Sequence, residues 1–131
     1  KKIPFTLCGK NFENCKIIGV NFRTISTLLI AWKFKNCSIE LCDFSTLDMK
    51  NGEFLECIIR ENDFINTNLT GSDFSDSDLQ ASKFQNTNLE KTNFVGAKNY
   101  YIDPTQNKLK KAKFSQPEVL SLLARFEIKI G

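Results

Sequence analysis

Thr67-Asn68-Leu69-Thr70-Gly71-Ser72-Asp73-Phe74-Ser75-Asp76-Ser77-Asp78-Leu79 repeats one five-residue pattern two and a half times. A small residue is followed by a polar one, a large apolar one and two variable ones. Stepping outward by five gives Phe34, Ile39, Phe44, Met49, Phe54, Ile59, Phe64, Leu69, Phe74, Leu79, Phe84, Leu89 and Phe94. Every one is large and apolar. With 41% hydrophobic residues in the chain, chance would produce that run roughly once in 10^5. Phe and aliphatic residues alternate, so Phe recurs every ten. This accounts for most of the 12 Phe in a chain with 1 Trp and 2 Tyr.

A period of five matches neither the 3.6 of a helix nor the 2 of a strand. The unit therefore needs a turn every five residues. Two positions before each centre the residue is usually Gly, Ser, Thr or Cys; Trp32, Leu47 and Asn62 are the exceptions. One position before, it is usually Asp, Asn or Glu. The large and the small residue are expected to point inward and the other three toward water. Phe12, Ile17 and Phe22 keep the same order, two residues out of step with the rest, so 23–33 must bulge or loop.

The triplets Thr67-Asn68-Leu69, Ser72-Asp73-Phe74, Ser77-Asp78-Leu79, Thr87-Asn88-Leu89 and Thr92-Asn93-Phe94 resemble the pentapeptide-repeat family, with its A-(D/N)-(L/F)-x-x consensus. The resemblance covers 10–22 and 32–97. Cys, Ser and Thr stand where Ala is commoner, and they too are small. The fold it implies is all-β, a right-handed quadrilateral β-helix with four pentapeptides per coil. Residue i then stacks on i+20 at the strand spacing of about 4.8 Å. Phe34, Phe54, Phe74 and Phe94 should form one ladder, and Phe44, Phe64 and Phe84 the opposite one. Ile39, Ile59 and Leu79, and Met49, Leu69 and Leu89, should fill the remaining sides.

The expected organisation is a solenoid over 1–114, irregular at 23–33 and 95–107, and a C-terminal cap over 115–131. Register continues weakly through Asn99 and Pro104 and returns at Leu109 and Phe114. Ser115-Gln116-Pro117-Glu118 reads as a capping box with Pro in the first turn. Val119, Leu122, Leu123 and Phe126 follow at helical spacing, and 127–130 as a short strand. A solenoid needs its last apolar layer covered. The helix is such a lid or, by resemblance to quinolone-resistance members, a homodimer contact. Leu7 fits a further centre. The chain opens at Lys1 without Met or a cap, so earlier coils are expected.

The chain has 18 Lys+Arg, 15 Asp+Glu and no His. Without His there is no His-based triad and no HExxH zinc site. No nucleotide-binding glycine motif and no membrane-length apolar run occur. The five cysteines are odd in number and lack CxxC spacing, which supports neither a disulfide framework nor zinc. They point to a reducing cytosol. Cys37 and Cys57 should stack as buried fillers, with a redox pair as the alternative. Trp32 should pack over the 23–33 irregularity.

Charge is patterned. Residues 36–80 hold ten acids and two bases, while both ends are basic. Asp43, Glu53, Asp63, Asp73 and Asp78 form the candidate partner surface. An acidic rod could imitate the regular charge of a DNA duplex, although Asp and Asn also simply suit the turns. The reading is a cytoplasmic, non-catalytic protein-interaction solenoid without cofactor, direct nucleic-acid contact or membrane. The alternative that the resemblance implies is a bacterial DNA mimic that binds DNA gyrase and protects it from quinolones or a toxin.

Overall fold

The structure is a computed structural model that describes residues 12–24 and 32–131. The expected centre at Leu7 and most of the 23–33 irregularity lie outside the described residues. The chain winds as a four-sided parallel β-solenoid whose sides are two- or three-residue strands. These are β1 (Phe12–Glu13), β2 (Lys16–Ile18), β3 (Lys33–Lys35), β4 (Ser38–Glu40), β5 (Glu53–Leu55), β6 (Ile58–Arg60), β7 (Asp63–Ile65), β8 (Lys83–Gln85), β9 (Asn93–Phe94) and β10 (Lys113–Phe114). Pairing is parallel throughout, in the orders β1-β3-β5, β2-β4-β6, β7-β8 and β9-β10. Phe34 pairs with Phe54 and Phe64 with Phe84, an offset of 20. Phe12 pairs with Phe34 and Ile17 with Ile39, an offset of 22. The offset is still 22 where Asn21 pairs with Asp43 and is 20 where Lys33 pairs with Glu53.

The interior consists of rings. Phe34, Phe44, Phe54, Phe64, Phe74, Phe84 and Phe94 are buried, as are Ile39, Met49, Ile59, Leu69, Leu79 and Leu89. Phe54 stacks on Phe74 at 4.8 Å, with 4° between the rings, and Phe64 stacks on Phe84 at 5.1 Å. Across the lumen the two ladders meet edge to face, as Phe64 and Phe74 do at 5.9 Å and 90°. Both geometries suit the ring quadrupole, which disfavours an eclipsed sandwich. Trp32 packs edge-on against Phe22 and Phe44, at 5.9 and 6.1 Å. A Cβ on Gly52, the next residue of that small-slot column, would come within 3.3 Å of the Trp32 Cβ. The largest residue of the column is thus matched by the smallest.

Corners are made by a residue in the left-handed region once per pentapeptide. Asn36, Leu41, Thr46, Asn51, Glu56, Glu61 and Asn66 have φ between 52° and 66°. This position was read from sequence only as variable and outward.

After Phe94 the packing changes. Asn99 is exposed with φ of 61°, and Pro104 is only half-buried. Neither is buried as a centre, although backbone pairing keeps the offset of 20 between Asp78 and Lys98 and between Asn88 and Lys108. Tyr100 and Ile102 are buried instead. Tyr100 lies tilted against Phe94 and Phe114, at 5.7 and 5.6 Å. It takes the place that an opposed ring would hold.

A 3-10 helix, Glu118–Phe126, follows. Pro117 immediately precedes it, and no side chain caps it. The expected capping box is therefore absent. The Ser115 hydroxyl accepts from the Gly96 amide at 3.0 Å and so ties the previous coil, while the Ser115 carbonyl accepts from the Val119 amide at 3.0 Å. Residues 127–130 form no strand and are exposed, which corrects the other expectation at this end. No helix of the described residues is long and apolar enough to cross a membrane.

Candidate interaction surfaces

The small inward slot does more than fit. Its side chain, two positions before a centre, donates to the carbonyl of a centre in the preceding coil. Thr67 Oγ1 donates to the Phe44 carbonyl at 3.0 Å, Ser72 to Met49 at 3.2 Å, Ser77 to Phe54 at 2.6 Å, Ser82 to Ile59 at 2.7 Å and Thr92 to Leu69 at 2.8 Å. Thr87 donates likewise to Phe64. Some slots bridge coils in both directions. Asn62 donates to the Ile39 carbonyl at 2.8 Å and accepts from the Cys42 amide at 2.7 Å. Asn107 repeats this one corner on, donating to Phe84 at 3.1 Å and accepting from Thr87 at 3.0 Å. Buried backbone groups need partners, and Ala could not supply them.

Cysteines occupy the same slots near the start. Cys37 Sγ donates to the Phe12 carbonyl at 3.4 Å, Cys42 to Glu40 at 3.3 Å and Cys57 to Phe34 at 3.5 Å. Among the described residues, Cys37, Cys42 and Cys57 are not in disulfides. Burial pushes the Cys42 thiol up. The Cys57 thiol is pushed up by its hydrogen bond with Cys37 first and by burial second. Thiols held protonated, as those of Cys42 and Cys57 are, are poor nucleophiles, whereas the hydrogen bond from Cys57 holds the Cys37 thiol down to about 6. No group of three or more His, Cys, Asp or Glu able to hold a metal occurs among the described residues.

The five acids proposed as a partner surface do not converge. Asp43 lies beside Asp63, and Glu53 beside Asp73, each pair in adjacent coils. The first pair precedes the Phe44 ladder and the second the Phe34 ladder, so they stand on opposite sides. Asp78 is on the side between. Most of these carboxylates are engaged in their own turns. Asp43 Oδ1 accepts from the Ser45 amide at 2.9 Å, Asp73 from Ser75 at 2.9 Å and Asp78 from Gln80 at 3.2 Å. Asn68, Asn88 and Asn93 do the same with Thr70, Glu90 and Val95. This is the Asx turn, which explains the choice of Asp or Asn. Asp78 also accepts from Asn99 at 3.0 Å. Bases bracket the acids along each column. Lys33 pairs in register with Glu53 and Lys83 with Asp63, and Arg23 approaches Asp43 at 3.7 Å.

At the C-terminal end, Val119 and Leu122 are half-buried while Leu120, Leu123 and Phe126 are exposed. The helix is clipped to the preceding loop. Ser121 donates to the Tyr100 carbonyl at 3.1 Å, and Arg125 reaches Asp103 at 3.0 Å and Thr105 at 2.7 Å. The Thr105 hydroxyl first, then its amide and Arg125, hold the Asp103 carboxyl below the usual range.

Four parallel sides per turn, pentapeptide corners and a ringed core define a pentapeptide-repeat solenoid. The family model of the pentapeptide repeat region matches residues 33–118, and the chain belongs to that family. No curated protein matches its sequence. Among solved structures it is similar to QnrB1, a plasmid-mediated fluoroquinolone resistance protein, at 20% identity and a TM-score of 0.46. That match covers 92% of this chain and 58% of QnrB1, so the chain spans about three fifths of that relative's length. It is also similar to a pentapeptide repeat protein from the Arabidopsis thaliana thylakoid lumen, at 14% identity and a TM-score of 0.46, covering 86% and 67% of the two chains. A third similar structure is HetL of the cyanobacterium Nostoc, which is involved in heterocyst differentiation regulation. It is 15% identical with a TM-score of 0.34, covering 82% and 50%.

Proposed function

We propose that this chain is a non-catalytic protein-interaction solenoid working in a reducing compartment. The observation that carries this reading is the division of its side chains. Phe, Ile and Leu fill the lumen, and the ionisable groups stand in outward columns one coil apart. Along the sides of the solenoid, a partner meets those columns first. The test is cross-linked capture from the native host, comparing the chain with the combined Asp43→Asn, Glu53→Gln, Asp63→Asn, Asp73→Asn variant. A partner held by the first, lost at raised salt and lost by the second supports the reading. If neither chain holds a partner above an inert solenoid control, the reading fails.

A second, narrower reading is a DNA mimic that binds a type II topoisomerase. It is favoured by the stacking of Asp43 on Asp63 and Glu53 on Asp73, like-charge pairs worth about 1 kcal/mol of repulsion each in water-like surroundings. Purified gyrase that shows no binding at low salt would exclude it. The exposed Leu120, Leu123 and Phe126 also suit a homodimer through the C-terminal end. Sedimentation of Leu123→Lys against the unmodified chain tests this, with a shift from dimer to monomer as the expected result.

A further inference from the structure

A groove of about 430 Å3 runs across three coils at one corner. Asn66, Asn86 and Gln106 form one wall and Asn68, Asn88 and Lys108 the other. Asn68 pairs with Asn88, and Asn88 with Lys108, in parallel register. Each wall therefore repeats at the coil height of about 4.8 Å. Its lining is six carboxamides, Asn107 included, three threonines and one ammonium, with no carboxylate. A carboxamide offers donors and an acceptor in one plane, which suits neighbouring hydroxyls that themselves both donate and accept. Asn68 and Asn88 are held by Oδ1 bonds from the Thr70 and Glu90 amides, and Asn68 also donates to Asp48 one coil before at 3.2 Å. Part of one wall is therefore ordered before a ligand arrives, and Asn86, Asn66 and Gln106 are left to meet it. Preorganisation of this kind lowers the cost of binding.

We propose that this groove binds a linear, uronic-acid-containing oligosaccharide, one sugar ring per coil. The hydroxyls would meet the carboxamides, and a carboxylate would meet Lys108. A pyranose ring linked through opposite sides advances by nearly one coil height. An extended peptide advances ~3.4 Å per residue and falls out of step with the walls. Single-stranded nucleic acid calls for aromatic faces, and none lines the groove. The inference is independent of the protein-binding reading, because it concerns a different corner from the acidic columns.

The test is a nitrogen-15 NMR titration of the whole chain with a galacturonic acid trimer, a β-1,4-linked glucose trimer and an oligo-dT strand. The side-chain amide signals of Asn66, Asn86 and Gln106 should move with the uronate at about millimolar Kd, and several-fold less readily with the glucose trimer. The Asn86→Gly, Gln106→Ala variant keeps the left-handed corner and its melting temperature, and should bind both sugars about tenfold more weakly. Lys108→Gln should weaken the uronate alone. The proposal is overturned if these amides stay still at about 10 mM uronate. It is equally overturned if the double variant binds unchanged, or if oligo-dT moves them more than either sugar.

Discussion

Phe74 and Phe114 belong to one ladder, two coils apart, yet they live in different surroundings. Phe74 is fully buried, stacked on Phe54 at 4.8 Å and Phe94 at 5.4 Å, with Phe64 and Phe84 edge-on across the lumen. Phe114 stacks on Phe94 at 5.1 Å, but its opposite neighbour is the tilted Tyr100, and it is only half-buried. A middle coil is closed by an identical layer on each side. The last coil has such a layer on one side only and must be closed by something else. In a solenoid, stability is a sum of such interfaces, so equivalent positions should respond unequally to the same substitution.

The largest expected contrast is in the rings. Phe74→Ala should cost about 3–5 kcal/mol, because the neighbouring layers cannot collapse into the space. Phe114→Ala should cost less than half of that, since water already reaches the site. Equal costs in urea melts would remove the distinction between closed and open coils. Next come the bridging amides. Asn62→Ala strands the Cys42 amide and the Ile39 carbonyl in a fully buried site and should cost about 2–4 kcal/mol. Asn107→Ala breaks the same two kinds of bond at a half-buried site, where water substitutes, and should cost about 1 kcal/mol.

The same contrast separates what could be read from the sequence. In the middle the five-residue period determines side, register and burial, because every coil repeats its neighbour's environment. The alternation of Phe and aliphatic residues was enough to place both ring ladders. What escaped was hydrogen-bond chemistry. Ser77 looked like a size choice and Asn62 like an exception to it, yet each answers a buried carbonyl in the coil before. Asp43, Asp73 and Asp78 looked like a field of charge, yet their first partners are amides two residues on. The Asn residues at 36, 51, 66 and 86 were a visible signal for the left-handed corner. At the end the period of buried centres fails, because Tyr100 and the 3-10 helix meet a surface that occurs only once. Ser115-Gln116-Pro117-Glu118 has a capping box's letters, but the serine hydroxyl is claimed by Gly96. Local pattern gave way there to a tertiary contact that no spacing announces.

Corners offer a smaller test. Thr46 sits at φ of 66° with a branched Cβ, where Asn is at ease. Thr46→Asn should stabilise by about 0.5–1 kcal/mol. Lys111, at φ of 62° in the last coil, is unbranched and exposed. Lys111→Asn should stay within about 0.5 kcal/mol of the original. A loss of stability in Thr46→Asn would mean that the Thr46 hydroxyl, which donates to the Ser45 carbonyl at 2.6 Å, outweighs the strain.

The smallest expected effect concerns the ring that closes the last coil. The Tyr100 hydroxyl is buried and has no hydrogen-bond partner among the described residues. Burial first, and the Glu118 carboxylate second, push its pKa up from 10.0 to about 12. An unpartnered buried hydroxyl contributes nothing that Phe would not, so Tyr100→Phe should be neutral or stabilising by up to about 1 kcal/mol at pH 7. The pH dependence follows from the direction of the shift. The folded state holds its proton more tightly than the unfolded chain, so the contribution of the neutral phenol is complete below about pH 10 and is lost as pH rises toward about 12. The difference in stability between wild type and Tyr100→Phe should therefore be flat from pH 7 to about 10, then move against the wild type over the next two pH units. Melting curves read at 295 nm, where tyrosinate absorbs, would follow the same interval. A difference that stays flat to pH 12 would mean that Tyr100 is hydrated in solution, and that the last coil is more open than its buried ring implies.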